Sequence, residues 1–81
     1  MNPESQDFLS EDQIEDLLLK LPQLQRFWKG ANALLLFRAK PKVSDPIFEI
    51  QLVWDLGDRI QTYAWIWIDA FSGKILRQFP E

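Results

Sequence analysis

Tyr63, Trp65 and Trp67 occupy three successive alternate positions within Gln61–Phe79, QTYAWIWIDAFSGKILRQF. Alternate residues of an extended chain project to one side, roughly 7 Å apart, so these rings form one row. Such a row suits two kinds of chemistry: desolvated contact with apolar protein surface, or stacking on bases or sugar rings. The other reactive types offer less. The chain has no His and no Cys, which removes the usual nucleophilic triads and thiolate chemistry. Ser5, Ser10, Ser44 and Ser72 all sit where a cap, turn or loop wants a hydroxyl. Asp45, Glu49, Asp55, Asp58 and Asp69 could bracket a substrate as paired carboxylates. Asp55 and Asp58 flank a hairpin loop, however, and Asp69 opens a turn, which are ordinary structural positions for Asp. A hard-metal site needs about six oxygens or more, and Asp55 and Asp58 bring only two carboxylates. No enzyme, no metal and no cofactor are therefore expected.

A second candidate surface is basic. Arg26, Lys29, Arg38, Lys40 and Lys42 are interleaved with Phe27, Trp28 and Phe37, the mixture used to bind single-stranded nucleic acid. The net charge of −3 opposes it, so nucleic acid is not the expected partner. The charges are sorted along the chain. Residues 1–16 hold Glu4, Asp7, Glu11, Asp12, Glu15 and Asp16 without a base, and residues 20–42 hold bases without an acid. Acids at a helix start and bases near its end complement the helix dipole.

These groups must be positioned by a small body. Eighty-one residues point to one domain, and 47% hydrophobic composition is enough for a core. A polar, mobile lead over residues 1–9 is expected to precede a single domain over residues 10–81. The first residues show neither a basic region nor an apolar run of the secretory kind. A cytoplasmic protein is expected if residue 1 is the native start. The longest apolar run, Ala33–Phe37, falls far short of the roughly 20 residues of a membrane span.

Ser10 is a good N-cap and opens a helix. Ser10 and Gln13 form a capping box, and Leu9 and Ile14 form a hydrophobic staple. Ile14, Leu17, Leu18 and Leu21 make one apolar stripe. Pro22 stops this helix and can open a second short one through Trp28, with Gly30 suited to a left-handed position after it. Strands are expected at Ala33–Arg38, Ile47–Trp54, up to Asp69, and at Lys74–Phe79, joined as an antiparallel meander. With Asp55–Arg59 as the hairpin loop, Trp54 faces Ile60, Leu52 faces Thr62, Ile50 faces Ala64 and Phe48 faces Ile66. That side receives the helix. The far side then holds Glu49, Gln51 and Val53 with Tyr63, Trp65 and Trp67, and with Leu76 beside Trp67.

An apolar sheet face without its own lid marks a contact surface. The expected binding residues are Tyr63, Trp65, Trp67, Val53, Gln51 and Leu76. The competing expectation is that Phe27 and Trp28, or Phe8, fold over this face. The expected function is a non-enzymatic protein-binding module, the partner being another protein or a second copy forming a homodimer. The alternative is binding of single-stranded nucleic acid or glycan by the same aromatics.

The chain resembles the PepSY family. Trp67-Ile68-Asp69-Ala70-Phe71-Ser72-Gly73-Lys74-Ile75-Leu76 is similar to that family's closing V-D-A-x-T-G-K-V-L, with Ser72 for Thr. Phe48-Glu49-Ile50-Gln51-Leu52 is similar to its Y-x-V-x-V strand, and Ser10–Ile14 to its helix start. The resemblance spans about residues 10–79. It implies an α+β fold of cystatin/PepSY-like form, with an N-terminal helix on one face of a four-stranded antiparallel sheet. It also implies a non-enzymatic, peptidase-inhibiting or protein-binding role. The missing export signal and the long aromatic Pro22–Trp28 segment depart from the family pattern.

Overall fold

A computed structural model describes residues 8–80. Its elements are α1 (Glu11–Leu19), a 3₁₀ turn (Pro22–Leu24), α2 (Gln25–Lys29), β1 (Ala33–Ala39), β2 (Ile47–Asp55), β3 (Ile60–Asp69) and β4 (Ile75–Phe79). The strands form one antiparallel sheet in the order β1-β2-β3-β4, an α+β fold. Residues 1–7 of the expected lead, with the acidic Glu4 and Asp7, lie outside the described residues. Phe8 and Leu9 belong to the folded body: the Leu9 amide donates to the Ala70 carbonyl at 2.8 Å, and the Phe8 and Phe71 rings lie 5.3 Å apart.

The capping box forms as its letters require. The Gln13 amide donates to Ser10 Oγ at 3.1 Å, and Gln13 Oε1 accepts from the Ser10 amide at 2.8 Å. Two amides left over by the helix start are thereby satisfied. At the other end, Gln25 Nε2 donates to the Leu19 and Leu21 carbonyls at 3.1 and 3.0 Å, closing the break that Pro22 imposes. Ile14 and Leu18 are fully buried, while Leu17 remains 39% exposed and lies over Gly73 at the β3–β4 turn. Gly73 has φ of 77°, and a Cβ there would stand 2.5 Å from Leu17 Cδ1, so both backbone and space demand glycine.

Ile14, Leu18, Leu24 and Phe27 from the helical layer pack with Phe48, Ile50, Leu52, Ala64, Ile66, Ile68 and Ala70 from the sheet. Phe27 is the wedge. Its ring lies 5.0 Å from Trp28, 5.4 Å from Tyr63 and 6.3 Å from Trp54. One indole pins the sheet to the helical layer, and another ties the two helices together. Trp54 Nε1 donates to the Phe27 carbonyl at 2.8 Å, and Trp28 Nε1 donates to the Leu18 carbonyl at 3.0 Å. Each buries an apolar body while its one polar atom finds a partner. Phe27 and Trp28 are thus committed to the helix side, and the expectation that they cover the far side does not hold.

Three bulges set the register. Leu52 pairs with Ala64 and Val53 with Thr62, which leaves Tyr63 as an extra residue in β3. Trp67 pairs with Arg77 and Ile68 with Ile75, leaving Leu76 extra in β4. Phe37 pairs with Ile50 and Ala39 with Glu49, leaving Arg38 extra in β1. The hairpin loop is one residue shorter at its start than expected, with Asp55 paired to Ile60. Consequently Phe48 faces Ile68 and Ile50 faces Ile66. The two-residue slip keeps these side chains on the helix side, because side chains alternate with a period of two.

Gly30 is needed for a different reason from the one its position suggests. Its φ is −70° and its ψ 154°, an extended conformation open to any residue. A Cβ there would overlap Nε1 of the Trp54 indole. The left-handed position belongs to Asn32, at φ 55°. Gly30→Ala is therefore expected to displace the indole from the Phe27 carbonyl and to cost about 1–3 kcal/mol. Thermal unfolding followed by tryptophan fluorescence would show the lowered midpoint, and Asn32→Gly would show little change.

Candidate binding face

The sheet side away from the helices is read row by row from the register. Leu34, Val53 and Thr62 make one row; Leu36, Gln51, Trp65 and Phe79 the next; Glu49, Trp67 and Arg77 the third. Neither described helix lies on these rows, since Ile14, Leu18, Leu24 and Phe27 all pack with the opposite side chains. Alternation puts Trp65 and Trp67 on this side because Ala64, Ile66 and Ile68 between them are buried on the other.

The two indoles stack, with centroids 6.4 Å apart and planes 21° from parallel. The Arg77 guanidinium carbon stands 5.0 Å from the Trp67 ring centroid, within cation–π range. Beside them runs a polar relay. Arg38 Nε donates to Gln51 Oε1 at 2.9 Å, and Gln51 Nε2 donates to Thr62 Oγ1 at 2.7 Å. The relay fixes which way the Gln51 amide points. Trp65 and Trp67 are half-buried, Leu34 is 41% exposed and Phe79 is 59% exposed. The face is thus an aromatic centre flanked by an aliphatic edge, two arginines and one glutamate.

Of the six residues expected to form this face, Trp65, Trp67 and Gln51 stand together on it. Tyr63 does not. The β3 bulge turns it to the helix side, where its ring lies 5.4 Å from Phe27 and 5.2 Å from Trp54. Thr62 takes the far-side place and accepts the Gln51 amide. Val53 is on this side of the sheet but 0% exposed, so it supports its neighbours and offers no atom to a partner. Leu76 is the bulge residue of β4, 50% exposed, and Arg77 stands in its place beside Trp67. Arg77, Phe79, Leu34 and Leu36 are members of the face that the alternation argument did not reach. One signal for the two leucines was available: Ala33–Phe37 is apolar at every position, the mark of a strand greasy on both sides.

The basic segment does not form one surface. Arg26 and Lys29 are exposed on α2, in the helical layer. Arg38 bonds Gln51 on the opposite side of the sheet. Lys40 pairs with Glu11 at 3.4 Å, with 74% of its side chain exposed. Lys42 lies in the β1–β2 loop, bridged through its backbone to Asp45.

Asp55, Asp69 and Ser72 have structural employment. Asp55 Oδ1 accepts the Gly57 amide and Asp69 Oδ1 the Phe71 amide, both at 2.9 Å. Ser72 Oγ accepts the Lys74 amide at 3.2 Å. Among the described residues no group of three or more carboxylates is placed to hold a metal ion. No described helix is long and apolar enough to cross a membrane.

Compared with known proteins, this chain matches no family model, no curated protein and no solved structure.

The geometry makes Arg77 a restraint on Trp67. A double-mutant cycle of Arg77→Ala and Trp67→Leu is expected to give a coupling of about 0.5–1 kcal/mol, read from urea unfolding. Arg77→Ala alone is expected to shift the tryptophan emission while the circular dichroism stays unchanged.

Proposed function

We propose that this chain is a non-enzymatic interaction module that docks a protein partner on the far face of its sheet. One observation carries the reading: Trp65 and Trp67 stack together on a side that neither described helix covers, with Phe79 and Leu34 exposed beside them. Tryptophan and arginine are the residue types that dominate interface hot spots, and this face holds two of each. An aromatic centre with a polar rim is also the usual anatomy of a protein contact. A PepSY-like kinship is part of the proposal. It rests on the order helix then antiparallel sheet and on the words of the Asp69–Lys74 turn. A role in restraining a peptidase would follow from that kinship.

A second reading keeps the same side chains. Trp65 and Trp67 would stack on bases or sugar rings, with Arg38 and Arg77 on the same face reaching phosphate. The dispersal of the other basic residues weighs against it.

Replacing both indoles, Trp65→Ala with Trp67→Ala, is expected to lower affinity for the protein partner by about 2 kcal/mol or more, some 30-fold. Quantitative affinity capture with wild-type and variant chains tests this, with circular dichroism confirming the fold. Unchanged capture by the variant would sink the reading. Titration with a single-stranded oligonucleotide separates the alternative. Two phosphate contacts imply a log–log salt slope of about −1.4, whereas an apolar protein contact barely responds to moderate salt.

A further inference from the structure

The two outer strands of the sheet are built differently. β4 is five residues long, is interrupted by the Leu76 bulge, carries Arg77 and runs into Pro80. Short length, a bulge, charge and proline are the devices by which proteins block an edge. β1 has seven residues, ALLLFRA, with no proline, and its one charge and its one bulge both fall at Arg38, after the uninterrupted run Ala33–Phe37. None of its residues is fully buried.

The register shows which backbone groups of β1 are free. The Asp55 amide donates to the Asn32 carbonyl at 3.0 Å, which makes these two a hydrogen-bonded pair. Counting by twos along an antiparallel ladder, Leu34 with Val53 and Leu36 with Gln51 are the next bonded pairs. The opposite side of β2 agrees. The Ala70 amide donates to the Pro46 carbonyl at 2.9 Å, so Phe48, Ile50 and Leu52 direct their amides to β3 and leave Gln51 and Val53 for β1. Ala33, Leu35 and Phe37 therefore aim their amides and carbonyls away from the sheet. Among the described residues no group bonds them from that side.

We infer that this edge pairs with β1 of a second copy, antiparallel, around a two-fold axis at Leu35, joining two sheets into one of eight strands. The strand is suited to itself. A two-fold at Leu35 sets Ala33 against Phe37 of the second copy, a small side chain against a large one, on the helix side. It sets Leu34 against Leu36 of the second copy on the far side, where Leu34 is 41% exposed. Arg38 meets the neutral Asn32, so no like charges are opposed. Up to about six backbone hydrogen bonds form, two at each of Ala33, Leu35 and Phe37 with its partner. An identical antiparallel strand is self-complementary by symmetry, as a closed dimer requires. The pairing leaves the tryptophans free and draws only the aliphatic edge of that face, Leu34 and Leu36, into the joint.

Amide hydrogen exchange and sedimentation on the intact chain test the inference from micromolar to millimolar concentration. The mass is expected to rise from 9.6 kDa towards twice that value. Over the same range the amides of Ala33, Leu35 and Phe37 should slow together, while those of Leu34 and Leu36 hold their protection. Leu34→Lys puts a charge at the joined edge on an already exposed site and should return the monomer with unchanged circular dichroism. Trp65→Ala with Trp67→Ala should leave the association intact. A mass of 9.6 kDa at every concentration overturns the inference. So does an association that survives Leu34→Lys and vanishes in the tryptophan variant, which would place the copies face to face.

Discussion

Phe27 holds the helical layer to the sheet. It is fully buried, its ring is enclosed by Trp28, Trp54 and Tyr63, and its carbonyl accepts the Trp54 indole. A domain of this size has little core to spare, so one such wedge orders a large share of it. Its consequences spread along the chain. Trp54 must lie against Gly30, which forbids a side chain there. Tyr63 must reach the same cluster, which the β3 bulge allows. Trp28, beside Phe27, is drawn to the Leu18 carbonyl and ties α2 to α1.

Spending the aromatic residues of the helical layer on one side leaves the other side without a helical cover among the described residues. The far face is not left loose, however. Val53 is sealed at 0% exposure, and the Arg38–Gln51–Thr62 relay occupies the middle of the sheet. Trp65, Trp67 and Arg77 are held against one another. Side chains ordered before a partner arrives lose less entropy on binding. The face is therefore preorganised by its own cross-strand neighbours.

Four of the polar groups singled out in the sequence serve local structure. Asp55, Asp69, Ser10 and Ser72 each accept a nearby backbone amide. These bonds hold the helix start and the two hairpin turns that set the strand register.

Local signals determined a good deal from the sequence alone. The capping box, the stop at Pro22, the alternation of Ile47–Trp54 and the Ser72-Gly73 turn depend on residues a few positions apart, so their physics is complete within the segment. From that alternation Trp65, Trp67 and Gln51 could be placed on one face. Only the tertiary structure decided the rest. Tyr63, Leu76 and Arg38 sit at bulges, and a bulge is chosen by what the neighbouring strand and layer offer. One inserted residue shifts the alternation that follows, so Tyr63 left the face while Arg77 and Phe79 joined it. The side taken by Phe27 and Trp28 was likewise undetermined, because both sheet surfaces are apolar and a short helix could satisfy its stripe on either. The hydrogen bond from the Trp54 indole to the Phe27 carbonyl, twenty-seven residues away, ties that helix to the side it takes.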